Sequence, residues 1–266
     1  MKKALFTTLL VLIAFISSGQ NSNNGAIKFL GIPIDGTESQ FSAKLRDKGF
    51  TYDSLFESYS GQFNGKPVDV YLHTNHDIVD RVYVAFPYNT EDDIRIEFNT
   101  LLKQFNDNKK YTDLSFNSEI PEDEDISYEM SVNSKRYQAS FSYFDPDRDQ
   151  QEFVNALIDG YSEFFTNEQL DSLKEDMMQY LSASEANQDE ILKKMVEEFE
   201  NTEFAQTTGN AEEDTEKVFR FIITTMDTLK SLADGSVWFM IHEHYGKYQI
   251  GLYYDNLHNQ AHGEDL

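Results

Sequence analysis

Residues 53–86 read DSLFESYSGQFNGKPVDVYLHTNHDIVDRVYVAF, and this stretch decides the fold class. Asn64-Gly65 sits between two runs of alternating polarity. Both residues tolerate positive φ, which a two-residue hairpin turn requires. The arms predicted around it are Asp53 to Phe63 and Pro67 to His73, the second with Val68, Val70 and Leu72 in alternation. A further turn, Asn75-His76-Asp77, leads into Ile78 to Phe86, where Val82, Val84 and Phe86 share a face. Connections this short join antiparallel neighbours, because parallel strands need a crossover of a dozen or more residues. The stretch therefore predicts an antiparallel meander.

Working outward toward the N-terminus, Ile27 to Ile34 is apolar apart from Lys28 and Gly31 and predicts one short buried strand. Asp35-Gly36 turns the chain. Thr37 with Gln40 forms a capping box, Phe41 and Leu45 set an apolar helical stripe, and Gly49 stops that helix. Downstream of the meander, Thr90 caps a second helix carrying Ile94, Phe98, Leu101, Leu102 and Phe105, ended by Asn106-Asp107-Asn108. An acidic loop, Glu119 to Asp125, then leads to a predicted second hairpin. Its arms are Ile126 to Val132 and Tyr137 to Phe144, turning at Asn133-Ser134-Lys135.

Residues 151–234 change character: Glu and Gln become dense and the apolar period becomes helical. Thr166 with Gln169 is another capping box, opening a helix through Leu170, Leu173, Met177 and Leu181. Ile191, Leu192, Met195 and Phe199 mark the next, and Val218, Phe221, Ile222, Met226 and Leu229 a longer one, ended by Asp234-Gly235. Strand character returns in Val237 to His244 and Lys247 to Tyr254, a hairpin about Tyr245-Gly246. The expected fold is α+β: an antiparallel sheet built from hairpins and a meander, with a helical insertion. Its divisions are residues 27–150 as an α+β domain, 151–234 as the insertion, and 235–266 as a C-terminal hairpin and tail completing the sheet. YEMSVNSKRYQASFSYFD (Tyr128 to Asp145) and WFMIHEHYGKYQIGLYYD (Trp238 to Asp255) are weakly alike, which would make them two similar hairpins in one sheet.

The N-terminus reads as an address. Lys2 and Lys3 precede an apolar run from Ala4 to Ile16, broken only by Thr7 and Thr8, and Ser17-Ser18-Gly19 are small. That pattern is a secretory signal peptide over residues 1–19, with cleavage expected between Gly19 and Gln20. The run is roughly 13 residues, short of the about 20 that span a bilayer, so no transmembrane anchor is expected after cleavage. Residues 20–26, rich in Asn, Ser and Gly, predict a disordered mature N-terminus. The expected location is periplasmic or secreted. The chain has no cysteine, which leaves no thiol for lipidation, disulfides, thiolate metal sites or nucleophilic attack.

A formal charge of −25 repels phosphate backbones and argues against nucleic acid as a ligand. The same charge serves solubility, or draws in calcium or a basic partner.

Three strings are similar to segments of an uncharacterised family of exported bacterial proteins: FLGIPIDGT (Phe29 to Thr37), IPEDEDISYEM (Ile120 to Met130), and HYGKYQIGLYYDN (His244 to Asn256) with GEDL (Gly263 to Leu266). The resemblance covers both ends of the mature chain. It implies export and carries no activity.

Motifs for chemistry are thin. Asp145-Pro146-Asp147-Arg148-Asp149 opens like a calcium loop, yet Gln150 and Ala156 stand where the glycine and the bidentate glutamate belong. The simpler reading is an acidic strand-to-helix loop with an aspartate capping the helix. His73 with His76, His242 with His244, and His258 with His262 are paired in sequence without HExxH or its variants. GxSxG, SxxK and glycine-rich phosphate loops are absent. No catalytic residue, metal site or cofactor is assigned.

The last hairpin carries the one concentration of aromatic residues around the only tryptophan. On its arms Val237, Phe239 and Ile241, and Ile250, Leu252 and Tyr254, are the expected core face. Trp238, Met240, His242 and Tyr253 fall on the other face, to be covered by the helices of 151–234 or by a ligand, and they are the candidate binding residues. Cross-strand pairing that stabilises the sheet is the competing role for these rings. The leading expectation is an exported non-catalytic binding protein of the cell envelope, taking an envelope protein or a peptide. The alternatives are a hydrolase using carboxylates without a recognisable motif, and a calcium-stabilised structural domain.

Overall fold

A computed structural model describes residues 25–206 and 208–261. The expected signal peptide, the first residues of the expected mature N-terminus and the GEDL string lie outside the described residues. The chain divides into two compact units, one of them Pro146–Leu232 and the other the strands and helices on either side of it in sequence.

The first unit is α+β. Its main sheet has eight antiparallel strands in the order β3-β4-β5-β6-β10-β9-β8-β7. These are β3 (Thr51–Asp53), β4 (Ser58–Phe63), β5 (Lys66–Asn75), β6 (Ile78–Ala85), β7 (Tyr111–Thr112), β8 (Gln138–Tyr143), β9 (Gly235–His244) and β10 (Lys247–Asn256). The Asn64-Gly65 turn forms as expected, with φ of 51° and 75°. The 245–246 turn does likewise, and the meander and the last hairpin stand where the alternation placed them.

Helices α1 (Glu38–Asp47) and α2 (Glu91–Asn106) lie on one face of this sheet. Thr37 and Gln40 complete their capping box, and Thr90 accepts from Asp93 N. Phe98 and Phe105 of α2 pack their rings against Phe239 of β9, with centroids 5.0 and 5.9 Å apart. The expected core face is buried throughout: Val237, Phe239, Ile250 and Leu252 are fully buried, as are Val70, Val82 and Val84.

The strand order reveals an internal repeat. Each half runs helix then four strands, edge to centre: α1-β3-β4-β5-β6 and α2-β7-β8-β9-β10. The two last strands meet at the middle with Tyr83 opposite Tyr253. Isolated bridges Thr37↔Ile78 and Asn89↔Tyr248 tie each helix start to the beginning of its own half's last strand, five positions before those tyrosines in both cases. The halves are thus related by an approximate two-fold axis between β6 and β10. In this scheme the Pro146–Leu232 unit occupies the place that the Asn64-Gly65 turn holds in the first half.

Four expectations fail locally. Ile27 to Ile34 is not one strand but a tight hairpin of β1 (Lys28–Phe29) and β2 (Ile32–Pro33), because Leu30 and Gly31 take φ of 51° and 79° and reverse the chain. The arm Asp53 to Phe63 is broken: the Asp53 side chain accepts Leu55 N at 2.8 Å and Glu57 takes φ of 51°, which loops residues 54–57 out. Ile126 to Val132 is not a hairpin arm but contains helix α3 (Ile126–Ser131). Ile126 and Met130 repeat at both strand and helix spacing. The helix wins because Asp125 caps Tyr128 N and Glu91 accepts Ile126 N, placing two carboxylates at its N-terminus. Tyr128 and Val132, inward on the strand reading, are exposed. The likeness between 128–145 and 238–255 therefore reflects no shared hairpin. The real repeat runs between different segments.

The second unit holds helices α4 (Gln150–Asp159), α5 (Asn167–Ser182), α6 (Glu185–Glu200) and α7 (Ala211–Ser231). The Thr166–Gln169 capping box is present, and Asp149 caps α4 by accepting Gln151 N and Glu152 N. Its core is aromatic: Phe221 touches the rings of Tyr161, Phe164, Phe165 and Phe204 at 5.0–6.0 Å. No helix among the described residues is long and apolar enough to cross a membrane.

Candidate functional site

The sheet face opposite α1 and α2 is built by the register alone. Tyr71 pairs with Tyr83, Tyr83 with Tyr253, Tyr253 with Trp238, and Trp238 with Ser140, which lines one row across five strands. The rings stack on one another. Centroids are 5.5 Å apart for Tyr71–Tyr83, 4.7 Å for Tyr83–Tyr253 and 3.8 Å for Tyr253–Trp238, the last nearly parallel at 6°. The inner ring faces are therefore spent on each other, and the row presents ring edges on the side away from the helices.

The next row fixes the stack. Asp255, 4% exposed, accepts Arg81 Nε at 2.5 Å, Arg81 Nη2 at 3.1 Å and Trp238 Nε1 at 2.9 Å. Its two oxygens thus hold a guanidinium and an indole at once. The Arg81 carbon lies 5.8 Å from the centroids of both Trp238 and Tyr253. The bond to Asp255 raises the Arg81 pKa. Burial pushes the Tyr83 hydroxyl up to about 12, with Tyr253 and Tyr71 adding to the shift. Burial also raises Tyr253, against the opposing pull of Arg81. Phenols shifted upward stay protonated at neutral pH and can donate hydrogen bonds.

On the other side of the aromatic row, Ala85, Gly251, Met240 and Gln138 stand in line. His242, paired with Gln249, leans over Gly251. A Cβ on Gly251 would lie 2.9 Å from both His242 Nε2 and the Tyr83 ring, so only glycine leaves room for the imidazole there. The Nε2 is buried without a hydrogen-bond partner, and burial lowers the His242 pKa. The ring is thus held neutral.

Trp238, Met240, His242 and Tyr253 are all half-buried on this one face. Trp238 and Tyr253 are ring neighbours, while Met240 and His242 occupy successive rows beyond them. Tyr71, Tyr83, Arg81 and Asp255 belong to the same surface and were not singled out by sequence. Their signal was the polar half of the alternation in 68–84, where Tyr71 and Tyr83 stand among residues that usually face solvent. Two of the histidines meet carboxylates. His73 Nδ1 meets Asp80 Oδ1 at 2.6 Å, and His258 Nε2 meets Asp234 Oδ1 at 3.0 Å. Among the described residues no group of three His, Asp or Glu side chains is placed to hold a metal ion; His262 lies outside them. No family model, curated protein or solved structure matches this chain.

Proposed function

We propose that this is an exported, non-catalytic binding protein of the cell envelope that takes a basic polypeptide on the face of its eight-stranded sheet opposite α1 and α2. The observation carrying this reading is the row Tyr71–Tyr83–Tyr253–Trp238, half-buried on the face opposite the helices. A glycan would stack on free ring faces, and here the inner faces of the row are taken by the rings themselves. Ring edges, Met240 and Gln138 instead suit the mixed apolar and polar side chains of a polypeptide. The formal charge of −25 favours a basic partner and a salt-sensitive encounter. Export rests on the residue 1–19 pattern and on the resemblance to exported proteins.

Capture from an envelope extract, followed by titration of the recovered polypeptide, tests the reading. Met240→Lys places a cation on the face with little steric change. It should weaken binding at least about tenfold, or 1.4 kcal/mol, while Phe219→Lys on α7 should not. Equal binding to the wild type and Met240→Lys, or recovery of no polypeptide, overturns the proposal. N-terminal sequencing of the exported protein should begin at Gln20.

A further inference from the structure

The helical unit holds a second candidate site, independent of the sheet face. A cleft of about 350 Å³ opens beside α5 and α6, within the size range of small-molecule sites. Its lining includes the apolar Phe165, Leu173, Met195 and Phe199 and the acidic Asp176, Glu198 and Glu168, with Ser172.

Asp176 is the informative residue. It is 2% exposed, and its Oδ1 accepts Lys194 Nζ at 2.6 Å. Its Oδ2 is buried and has no hydrogen-bond partner. A buried carboxylate oxygen left without a donor is costly, by about 1–3 kcal/mol or more for a charged group. Glu198 is better served: Ser172 donates to Oε2 at 2.8 Å, and Lys194 lies 3.5 Å from Oε1. Lys194 is the one cation paired with these carboxylates, and it divides its charge between Asp176 and Glu198. Three carboxylates against one ammonium leave the cleft net negative. Among the described residues the acids are not gathered to share a metal ion. Phe165, whose ring meets the buried Phe199 edge to face at 6.2 Å, offers aromatic surface to an apolar body.

From this arrangement we infer that the α5–α6 cleft binds a small organic cation, a primary ammonium on an apolar or aromatic body. The ammonium donates to Asp176 and Glu198, and the body packs on Phe165 and Phe199. The unused oxygen of Asp176 gains the donor it lacks.

The test is calorimetric titration of the full mature chain with 2-phenylethylamine, with 2-phenylethanol as its neutral counterpart. The amine should bind with a dissociation constant at or below ~10 mM, should weaken as salt is raised, and should outbind the alcohol at least about tenfold. Glu198→Gln, at a half-exposed position that leaves the fold undisturbed, should reduce amine affinity several-fold, and Asp176→Asn at least as much. Equal binding of amine and alcohol, no amine binding, or amine affinity unchanged in Glu198→Gln each overturns the assignment. None of these results bears on Met240→Lys or the sheet face, so the two proposals fail separately.

Discussion

The two units treat their buried polar groups differently. In the sheet unit nearly every one is matched. Asp255 holds Arg81 and Trp238, Asp80 meets His73, and Asn256 donates to Ile34 O. Glu97 lies 2.6 Å from Lys66 Nζ and accepts from Asn89. Among the described residues the orphans there are His242 Nε2 and Glu97 Oε1, the latter with Lys66 Nζ 2.6 Å away as an ion pair. In the helical unit Asn155 Oδ1 and Asp176 Oδ2 are buried without a partner, and Tyr161 OH and Thr225 Oγ1 are buried facing each other without a well-formed bond. The contrast has a physical source. Sheet register places side chains of neighbouring strands opposite each other at fixed spacing, so a polar group on one strand meets a partner on the next. Helices packed through aromatic side chains have no such lattice, and a polar group caught in the interface depends on water or a ligand for its partner.

The comparison can be broken most forcefully at the sheet core. Phe239→Ala removes a ring that packs on Phe98, Phe105 and Phe141. It should cost about 3–5 kcal/mol in a denaturant titration. A loss under about 1 kcal/mol would mean that this ring cluster does not carry the stability of the sheet unit.

Asp255→Ala tests the matched groups. It strands the Trp238 indole N–H and a guanidinium that is one-third exposed. Full burial of the abandoned charge would cost 3–5 kcal/mol; solvent reaching Arg81 reduces the expectation to about 2 kcal/mol. The Trp238 emission should shift at the same time. Unchanged stability would remove the pair from the account of how the stack is held.

Tyr161→Phe tests the unmatched ones. Deleting a hydroxyl that faces Thr225 without a well-formed bond should leave stability unchanged or raise it by up to about 1 kcal/mol. A loss above that would show that the hydroxyl is satisfied in solution and that the contrast between the units is smaller than drawn.

The smallest effect concerns pH. The folded pKa of His242 lies below its unfolded value near 6.5. Above 6.5 both states are neutral and the residue adds no slope. As pH falls below 6.5 the unfolded state binds the proton first, so stability declines until the folded pKa is also passed. His242→Gln should flatten stability against pH over that interval. An unchanged profile would assign the slope to another group.

Much of this was readable residue by residue. Thr37 with Gln40, Thr166 with Gln169, and Asn64-Gly65 declare themselves, because caps and two-residue turns are settled within a few residues. Ile126 to Met130 did not, because a spacing of four satisfies both periods and the deciding group was Glu91, far off in sequence. At the candidate site Trp238 and Tyr253 were legible as hairpin partners, while Tyr71 and Tyr83 were not, since their place beside Tyr253 depends on β6 lying next to β10.

What the chain alone determined, then, was local: which segments alternate, where they turn, which helix starts are capped, and which side of each strand is apolar. Alternation assigns a face without naming a neighbour. The pairing of Tyr83 with Tyr253, the two-fold repeat, the four-ring row and the Asp176 cleft were decided only by tertiary structure, because strand order and helix packing are set by the burial of the whole core, which no local pattern contains.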